Sequence, residues 1–288
     1  MANIIVTGAS GFIGSHLIRR LKKDGHTVFP IPHKTLTTAT TYLKDQLEKF
    51  NPDYIYHLSS YGNMNTQTDE DLIVATNVIH TWNLLQVTKD IPYKAFVNFG
   101  SSSEYGKKDE VMTESMLPEA DTFYGASKVA STYLCKAFAK QYDKPIVTVR
   151  PFSVYGPGEA TFRFIPKLIS ELKRSPYGQM TVDMHAKHDW IYIDDFIDAL
   201  LLIASNALRF KGQVVNIGTG KETRNVRIVK LLQQIADAFI QVTYINGMRP
   251  NDSPVWKDGS SKLKKLNWSP TISLEEGLRR CYEYYKNI

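Results

Sequence analysis

The sequence predicts an α/β fold, a doubly wound parallel Rossmann sheet followed by a smaller C-terminal α/β domain. Three observations predict it: strand-like and helix-like segments alternate through the first half, a glycine turn joins the first strand to the first helix, and the alternation breaks after Arg150-Pro151. Taken in order, Asn3-Ile4-Ile5-Val6-Thr7 is a short apolar run of strand type. Gly8, Gly11 and Gly14 follow at three-residue spacing, and His16-Leu17-Ile18-Arg19-Arg20-Leu21 then has helical apolar periodicity. Segments 27–31, 53–59, 94–101 and 145–150 read as further strands, and 12–23, 40–50, 70–89 and 124–141 as helices. Past Arg150-Pro151 come the turn Gly156-Pro157-Gly158, a helix near 163–174 and a strand at Met180-Thr181-Val182-Asp183-Met184. Helix 194–206 and strand 213–218 are expected to return to the sheet, while 222–288 supplies helices and loops. The expected division is residues 1–152, with 190–218 returning, for the Rossmann domain, and 153–189 with 219–288 for the smaller one.

Composition excludes several classes. Apolar content of 43% and charged content of 22% over 288 residues are those of an ordinary globular chain with a sizeable core, so disordered and fibrous classes drop out. No stretch approaches the roughly 18 apolar residues of a membrane span, and the longest candidate, Ala199-Leu200-Leu201-Leu202-Ile203-Ala204, fits a buried helix. The chain opens on its first strand without a basic region and cleavage site, so a cytoplasmic protein is expected. Cys135 and Cys281 give neither a disulfide framework nor metal-ligand spacing, and no metal is expected. A net charge of +6 suits an anionic ligand such as a nucleotide diphosphate; the basic residues are spread along the chain, and no nucleic-acid partner is expected.

Two motifs carry chemistry. Glycine is needed where a backbone turns tightly against a pyrophosphate, whose charge then sits at a helix N-terminus with its unpaired N–H groups; Gly8, Gly11 and Gly14 between strand and helix are placed for that. In Tyr124-Gly125-Ala126-Ser127-Lys128 a four-residue helical separation puts the phenol and the ammonium on one face. An unperturbed phenol has a pKa of about 10, and a neighbouring cation favours its phenolate, so the pair can exchange protons with an alcohol or ketone near neutral pH. Together they place a dinucleotide and a proton-transfer tyrosine in one site.

These segments resemble the extended short-chain dehydrogenase/reductases, in their nucleotide-sugar epimerase/dehydratase branch, nearly end to end. The likeness rests on Thr7 to Leu17, His57-Leu58-Ser59-Ser60, Asn77-Val78 with Thr81-Trp82-Asn83-Leu84-Leu85, Ser101 to Gly106 and the YxxxK motif. It continues through Arg150 to Gly158, Trp190 to Asp195, Asn216-Ile217-Gly218 and Arg249-Pro250-Asn251-Asp252. The resemblance implies that Tyr124 is the acid/base, that Lys128 holds the nicotinamide ribose and lowers the tyrosine pKa, and that Ser101 hydrogen-bonds the reacting oxygen. It further implies that Gly8, Gly11, Phe12, Ile13 and Gly14 line the pyrophosphate, that Leu58, Ser59 and Ser60 pass along the cofactor, and that Pro151, Ser153 and Val154 approach the nicotinamide. Asn77 either positions the active-site backbone beside the cofactor or is a capping or buried structural asparagine. Asp194-Asp195, ahead of Phe196-Ile197-Asp198-Ala199-Leu200, reads as an N-terminal helix cap. A homodimer through helices 70–89 and 124–141 is expected by the same resemblance.

Departures from the family pattern shape the remaining expectations. An acid that binds the adenosine ribose diol of NAD is expected roughly 20 residues past the glycines; Pro32 stands there, followed by His33 and Lys34, which could pair with a 2′-phosphate, so NADP(H) is expected over NAD(H). Sugar 4,6-dehydratases of the family carry an acid and a base immediately after the serine or threonine, where this chain has Ser102 and Ser103 and, one place later, Glu104. Hydroxyls are poor general bases, which leaves two chemistries on a nucleotide-diphosphate sugar: NADPH-dependent reduction of a 4-keto-6-deoxyhexose, favoured by the cofactor expectation, or NAD-dependent 4-epimerisation. A non-catalytic regulator on the same scaffold is the rival class, and retention of Tyr124 and Lys128 argues against it. For the diphosphate, the resemblance offers Arg249 first; Arg163 and Lys167, at four-residue spacing on one helical face, come next. A second family arginine is His188 here, with Lys187 beside it as a substitute.

Overall fold

A computed structural model describes residues 1–37, 41–64, 66–245, 253–259 and 262–288. In chain order the elements begin with β1 (Asn3–Thr7), α1 (Phe12–Lys23), β2 (Thr27–Ile31), α2 (Thr41–Phe50) and β3 (Tyr54–His57). A continuous helical stretch follows, α3 (Glu70–Val74), a π-helical turn at Ala75–Ile79 and α4 (His80–Val87); then come β4 (Ala95–Phe99), α5 (Phe123–Gln141) and β5 (Ile146–Pro151). The later elements are β6 (Ser153–Tyr155), α6 (Phe164–Lys173), β7 (Gln179–Asp183), β8 (Lys187–Tyr192), α7 (Ile193–Ser205), β9 (Val214–Ile217), β10 (Glu222–Arg224), α8 (Asn225–Ala236), β11 (Gln241–Ile245) and α9 (Leu274–Tyr285).

The chain divides into two compact units. The first comprises Met1–Gly106, Glu114–Pro151 and Ile197–Ile217. Its six-stranded sheet has the order β2-β1-β3-β4-β5-β9, every neighbouring pair parallel. Strands buried on both faces are largely apolar: Ala95–Phe99 is buried at every position, with Asn98 its one polar residue, and Ile4, Ile5 and Val6 are all within 2% of full burial. Helix α1 lays Gly14, Leu17 and Leu21 inward at helical spacing. Strand order reverses between β1 and β3, and ligands of doubly wound sheets collect outside the carboxyl ends of the strands at such a switch point. Gly8 follows β1 there and Leu58 follows β3.

The second unit comprises Lys107–Thr113, Phe152–Phe196 and Gly218–Ile288. It holds a three-stranded sheet, β10-β8-β6, antiparallel at β10·β8 and parallel at β6·β8, and a parallel β11-β7 pair. Asp189, fully buried on β8, accepts from the backbone N–H groups of Thr219, Gly220 and Asp258 and from the Thr219 hydroxyl, at 2.6–3.1 Å. Asp194 and Asp195 lie inside the first turn of α7 instead of capping it. The Asp195 carboxylate reaches outward to Thr271 N, Thr271 Oγ1 and Ile272 N, pinning the segment ahead of α9. No helix among the described residues is long and apolar enough to cross a membrane.

Candidate active site in the first unit

The turn between β1 and α1 is built so that backbone replaces side chain. Gly8 has φ +66°, and a Cβ there would stand 2.8–2.9 Å from the backbone of Leu58 and Ser59. A Cβ on Gly14 would lie 2.2 Å from the Gly8 carbonyl oxygen. Gly11, the N-cap of α1, offers no side chain to the orphan N–H groups of the first turn, and no acid occupies that turn. A close backbone cradle with uncapped donors fits a pyrophosphate. Phe12 and Ile13 form the start of that helix, half-buried.

Beneath the cradle a buried chain of hydrogen bonds fixes one histidine tautomer. Ser59 N donates to Thr7 Oγ1 at 3.1 Å, and Thr81 Oγ1 donates to the Asn77 carbonyl at 2.8 Å. Thr81 has spent its only proton, so at 2.9 Å it must accept from His57 Nε2–H, which leaves Nδ1 to accept from the Thr7 hydroxyl at 2.8 Å. Burial, with smaller contributions from Lys128 and His80, pushes the His57 pKa down to about 3, and the ring is neutral.

Asn77 sits in the π-helical turn, where the widened coil turns its side chain inward. Its Oδ1 accepts from Tyr61 N, and Nδ2 donates to the Tyr61 carbonyl at 2.7 Å and to Ser127 Oγ at 2.9 Å. Ser127 Oγ in turn donates to the Tyr124 carbonyl. Both amide hydrogens are thus engaged by the protein, and Asn77 ties the loop after β3 to the turn that bears Tyr124.

Tyr124 occupies the first turn of α5, capped by Thr122, whose hydroxyl accepts from Gly125 N. Lys128 is one turn further on and 3% exposed. Burial lowers its pKa to about 8, against the opposing influence of Glu104 and then Cys135. Its ammonium makes no hydrogen bond to a described residue. Ser101 is the N-cap of a short 3₁₀ turn, Ser102–Tyr105; its hydroxyl accepts from Ser103 N at 3.0 Å, which leaves the hydroxyl proton to be donated. A Cβ on Gly125 would meet the Ser103 carbonyl at 2.7 Å, so the Ser101 turn and the Tyr124 turn are in backbone contact.

Glu104 is turned into the protein. Its side chain is fully buried, with Oε1 accepting from Ser101 N at 2.8 Å and Oε2 accepting from Thr132 Oγ1 at 2.9 Å and Arg150 Nη2 at 2.7 Å. The Ser101-x-x-Glu104 spacing is a capping box, a signal present in the sequence. Thr7, His57 and Arg150 lie in segments that carry the resemblance but have no role of their own in it, and Thr132 lies outside those segments.

Other sequence candidates fall differently. His33 Nε2 is hydrogen-bonded to Thr76 Oγ1 at 2.9 Å, and its ring meets that of His80 edge-on at 4.4 Å. Lys34 is exposed in the 3₁₀ turn His33–Leu36. Pro151 ends β5, and Ser153 and Val154 lie on β6 in register with Trp190 and Ile191. In the second unit, α6 begins at Phe164, so Arg163 is its N-cap and not a helical partner of exposed Lys167. His188 packs edge-on against Trp190 and Trp256 at 5.4 and 5.9 Å. Lys187 is paired with Glu222 at 2.8 Å and is not a free substitute for an arginine. Arg249 lies outside the described residues. Cys135 and Cys281 are buried free thiols, which burial holds well above the ordinary thiol pKa.

A glycine cradle at the switch point of a parallel sheet, with Ser101 and Tyr124 on turns in backbone contact and Lys128 one turn beyond Tyr124, is the pattern of an oxidoreductase of the short-chain type. Residues 4–218 match the NAD dependent epimerase/dehydratase family, and the chain is an enzyme that belongs to it. A UDP-glucuronate 4-epimerase from Thermodesulfobacterium geofontis is 27% identical over 99% of this chain and 97% of its own. The crystal structure of UDP-glucuronic acid 4-epimerase from Bacillus cereus in complex with UDP-glucuronic acid and NAD aligns with a TM-score of 0.86 at 29% identity, over 99% of each chain. MoeE5 in complex with UDP-glucose and NAD gives 0.86 at 28% identity, again over 99% of each.

These complexes overturn the expectation of NADP(H). Both neighbours hold NAD, and the physical reason is visible at His33, whose Nε2 is turned onto Thr76 of the protein itself instead of being offered to a 2′-phosphate.

Proposed function

We propose that this chain is an NAD-dependent nucleotide-sugar 4-epimerase, acting at C4 of the hexose of a nucleoside-diphosphate sugar. The observation that carries the reading is the inward aim of Glu104, the one carboxylate of the Ser101 turn, which is consumed by Ser101 N, Thr132 and Arg150. Elimination of water would need an acid and a base beside Ser101, and Ser102 and Ser103 offer hydroxyls only. The reductase reading was favoured by the NADP(H) expectation, which the NAD complexes contradict.

What remains is reversible oxidation at one carbon. NAD, when bound, supplies a hydride acceptor that later becomes the donor. Tyr124 takes the C4 hydroxyl proton as the C4–H bond breaks, helped by the Lys128 ammonium and by its own place at the positive end of α5. Ser101 donates its free hydroxyl proton to the same oxygen and steadies the charge that develops there. Tyr124 returns the proton to that oxygen when the C4–H bond re-forms on the opposite face. Arg163 and His188 are the second unit's candidates for the substrate. We also infer a homodimer through α3–α4 and α5, on whose surfaces Val74, Ile79, Trp82, Phe123 and Tyr133 are 43–62% exposed.

The test is to identify by mass spectrometry the cofactor released on denaturation, then to incubate the protein with UDP-glucose and UDP-glucuronic acid without added cofactor. Copurified NAD and the C4 epimer of one of these sugars are expected. A dehydrated 4-keto product, or stoichiometric oxidation of NADPH by a 4-keto sugar, overturns the reading.

A further inference from the structure

The Glu104 carboxylate stands at the meeting point of three elements that each carry part of the candidate site. Through Oε1 it holds the backbone N–H of Ser101; through Oε2 it holds Thr132, one turn beyond Lys128 on α5, and Arg150 on β5. The fit is close enough that a Cβ on Gly100 would fall 2.2 Å from Oε1. Arg150 is 2% exposed, its guanidinium lies 4.4 Å from the Tyr105 ring centroid, and the Tyr105 hydroxyl donates to Asn216 Oδ1 at 2.7 Å.

Lys128 is surrounded by groups that differ in what they contribute. His57 of β3 is neutral, and the Cys135 thiol, on the same helix, is raised far above neutrality. Tyr124 lies one turn back on the same helix. Arg150 is a second buried cation, ion-paired directly with Glu104 at 2.7 Å. Glu104 is therefore the counter-charge to two buried cations, of which one has a direct ion pair and the other does not.

We propose that Glu104 is a positioning residue that locks the Ser101 turn to α5 and supplies the negative charge facing the Lys128 ammonium. It touches no substrate atom and acts through Ser101 and Lys128; the catalytic part of the inference rests on the epimerase reading. Removing the carboxylate's charge leaves Lys128 facing an uncompensated Arg150, and the lysine then gives up its proton at lower pH. Removing Arg150 instead leaves Glu104 undivided, and the lysine holds its proton to higher pH. The two substitutions thus act in opposite directions, which loss of structure alone does not produce.

The experiment uses the protein as purified, with its bound cofactor, labelled with ¹³C at lysine Cε and assigned by comparison with Lys128→Met. Lys128 is titrated by NMR in wild type, Glu104→Gln, Glu104→Asp and Arg150→Gln. The midpoint is expected near 8 in wild type, lower by about one pH unit in Glu104→Gln, close to wild type in Glu104→Asp and higher in Arg150→Gln. The alkaline limb of kcat should follow the same order, with kcat in Glu104→Gln down about tenfold and KM little changed. Equal midpoints in wild type, Glu104→Gln and Arg150→Gln overturn the inference. Should Glu104→Gln not fold, equal midpoints in wild type and Arg150→Gln do so. Midpoints that move as stated in a protein lacking epimerase activity leave the inference standing and remove the functional reading instead.

Discussion

The Ser103 carbonyl and Gly125 are fitted to each other: a Cβ on Gly125 would stand 2.7 Å from that oxygen. Through this contact the turn that presents Ser101 rests on the turn that presents Tyr124. The close backbone approach leaves no room for a side chain at position 125.

Gly125→Ala should therefore separate the two catalytic candidates while leaving both in place. The expected result is a loss of kcat of about tenfold to a hundredfold, because a misplacement of about 1 Å is costly in a positioned site. Thermal melting should change only modestly. Steady-state kinetics beside a melting curve measure both, and an unchanged kcat would remove the packing argument.

Gly14→Ala should abolish cofactor retention. Its new Cβ would fall 2.2 Å from the Gly8 carbonyl, whereas on Gly11 it would stand 3.3 Å from the same oxygen. Cofactor content after purification should be near zero for Gly14→Ala and substantially higher for Gly11→Ala, as read by mass spectrometry after denaturation.

Asn77→Leu should cost about 2–3 kcal/mol of stability, since it leaves the part-buried N–H and carbonyl of Tyr61 without their partners and removes the donor to Ser127 Oγ. Urea denaturation gives the value directly. Activity should fall as well, because the Tyr124 carbonyl is held through Ser127.

Acid should weaken the fold from slightly acidic pH downward. Burial holds His57 at about 3 and His80 at about 4 in the folded protein, both below the ordinary histidine value of 6.5. Below 6.5 the unfolded chain therefore binds protons that the folded one refuses, and each group contributes a loss of about 1.4 kcal/mol per pH unit until its folded pKa is reached. Above 6.5 these two histidines contribute no slope. Urea midpoints measured from pH 7 to pH 5 should fall, and the slope should be smaller in His57→Gln.

Much of this was legible in the sequence, and for identifiable reasons. The alternation of strands and helices, the three glycines and the Tyr124–Lys128 spacing are local patterns, and local patterns specify local geometry. Ser101 entered only through the family resemblance of the Ser101 to Gly106 segment. The direction in which a side chain points across the fold was not. His33 follows β2 as a cofactor-facing residue should, yet it turns onto Thr76, forty-odd positions along the chain. Glu104 looked like an acid displaced by one residue, and its partners Thr132 and Arg150 come from elements that only tertiary packing brings to it. The Thr7-His57-Thr81-Asn77 chain likewise joins segments with no shared motif. Asp195 carried a helix-start signal and instead serves the distant Thr271 and Ile272.

The most direct measurement follows deuterium placed at C4 of the nucleotide sugar that the proposed epimerase reading makes its substrate, with product isolated and its label located by NMR. Transfer out and back at one site predicts that deuterium remains at C4 in both epimers, with none in solvent and no cofactor consumed. Loss of the label to water, or a product in which C4 has become a ketone with water expelled from C5 and C6, would contradict it.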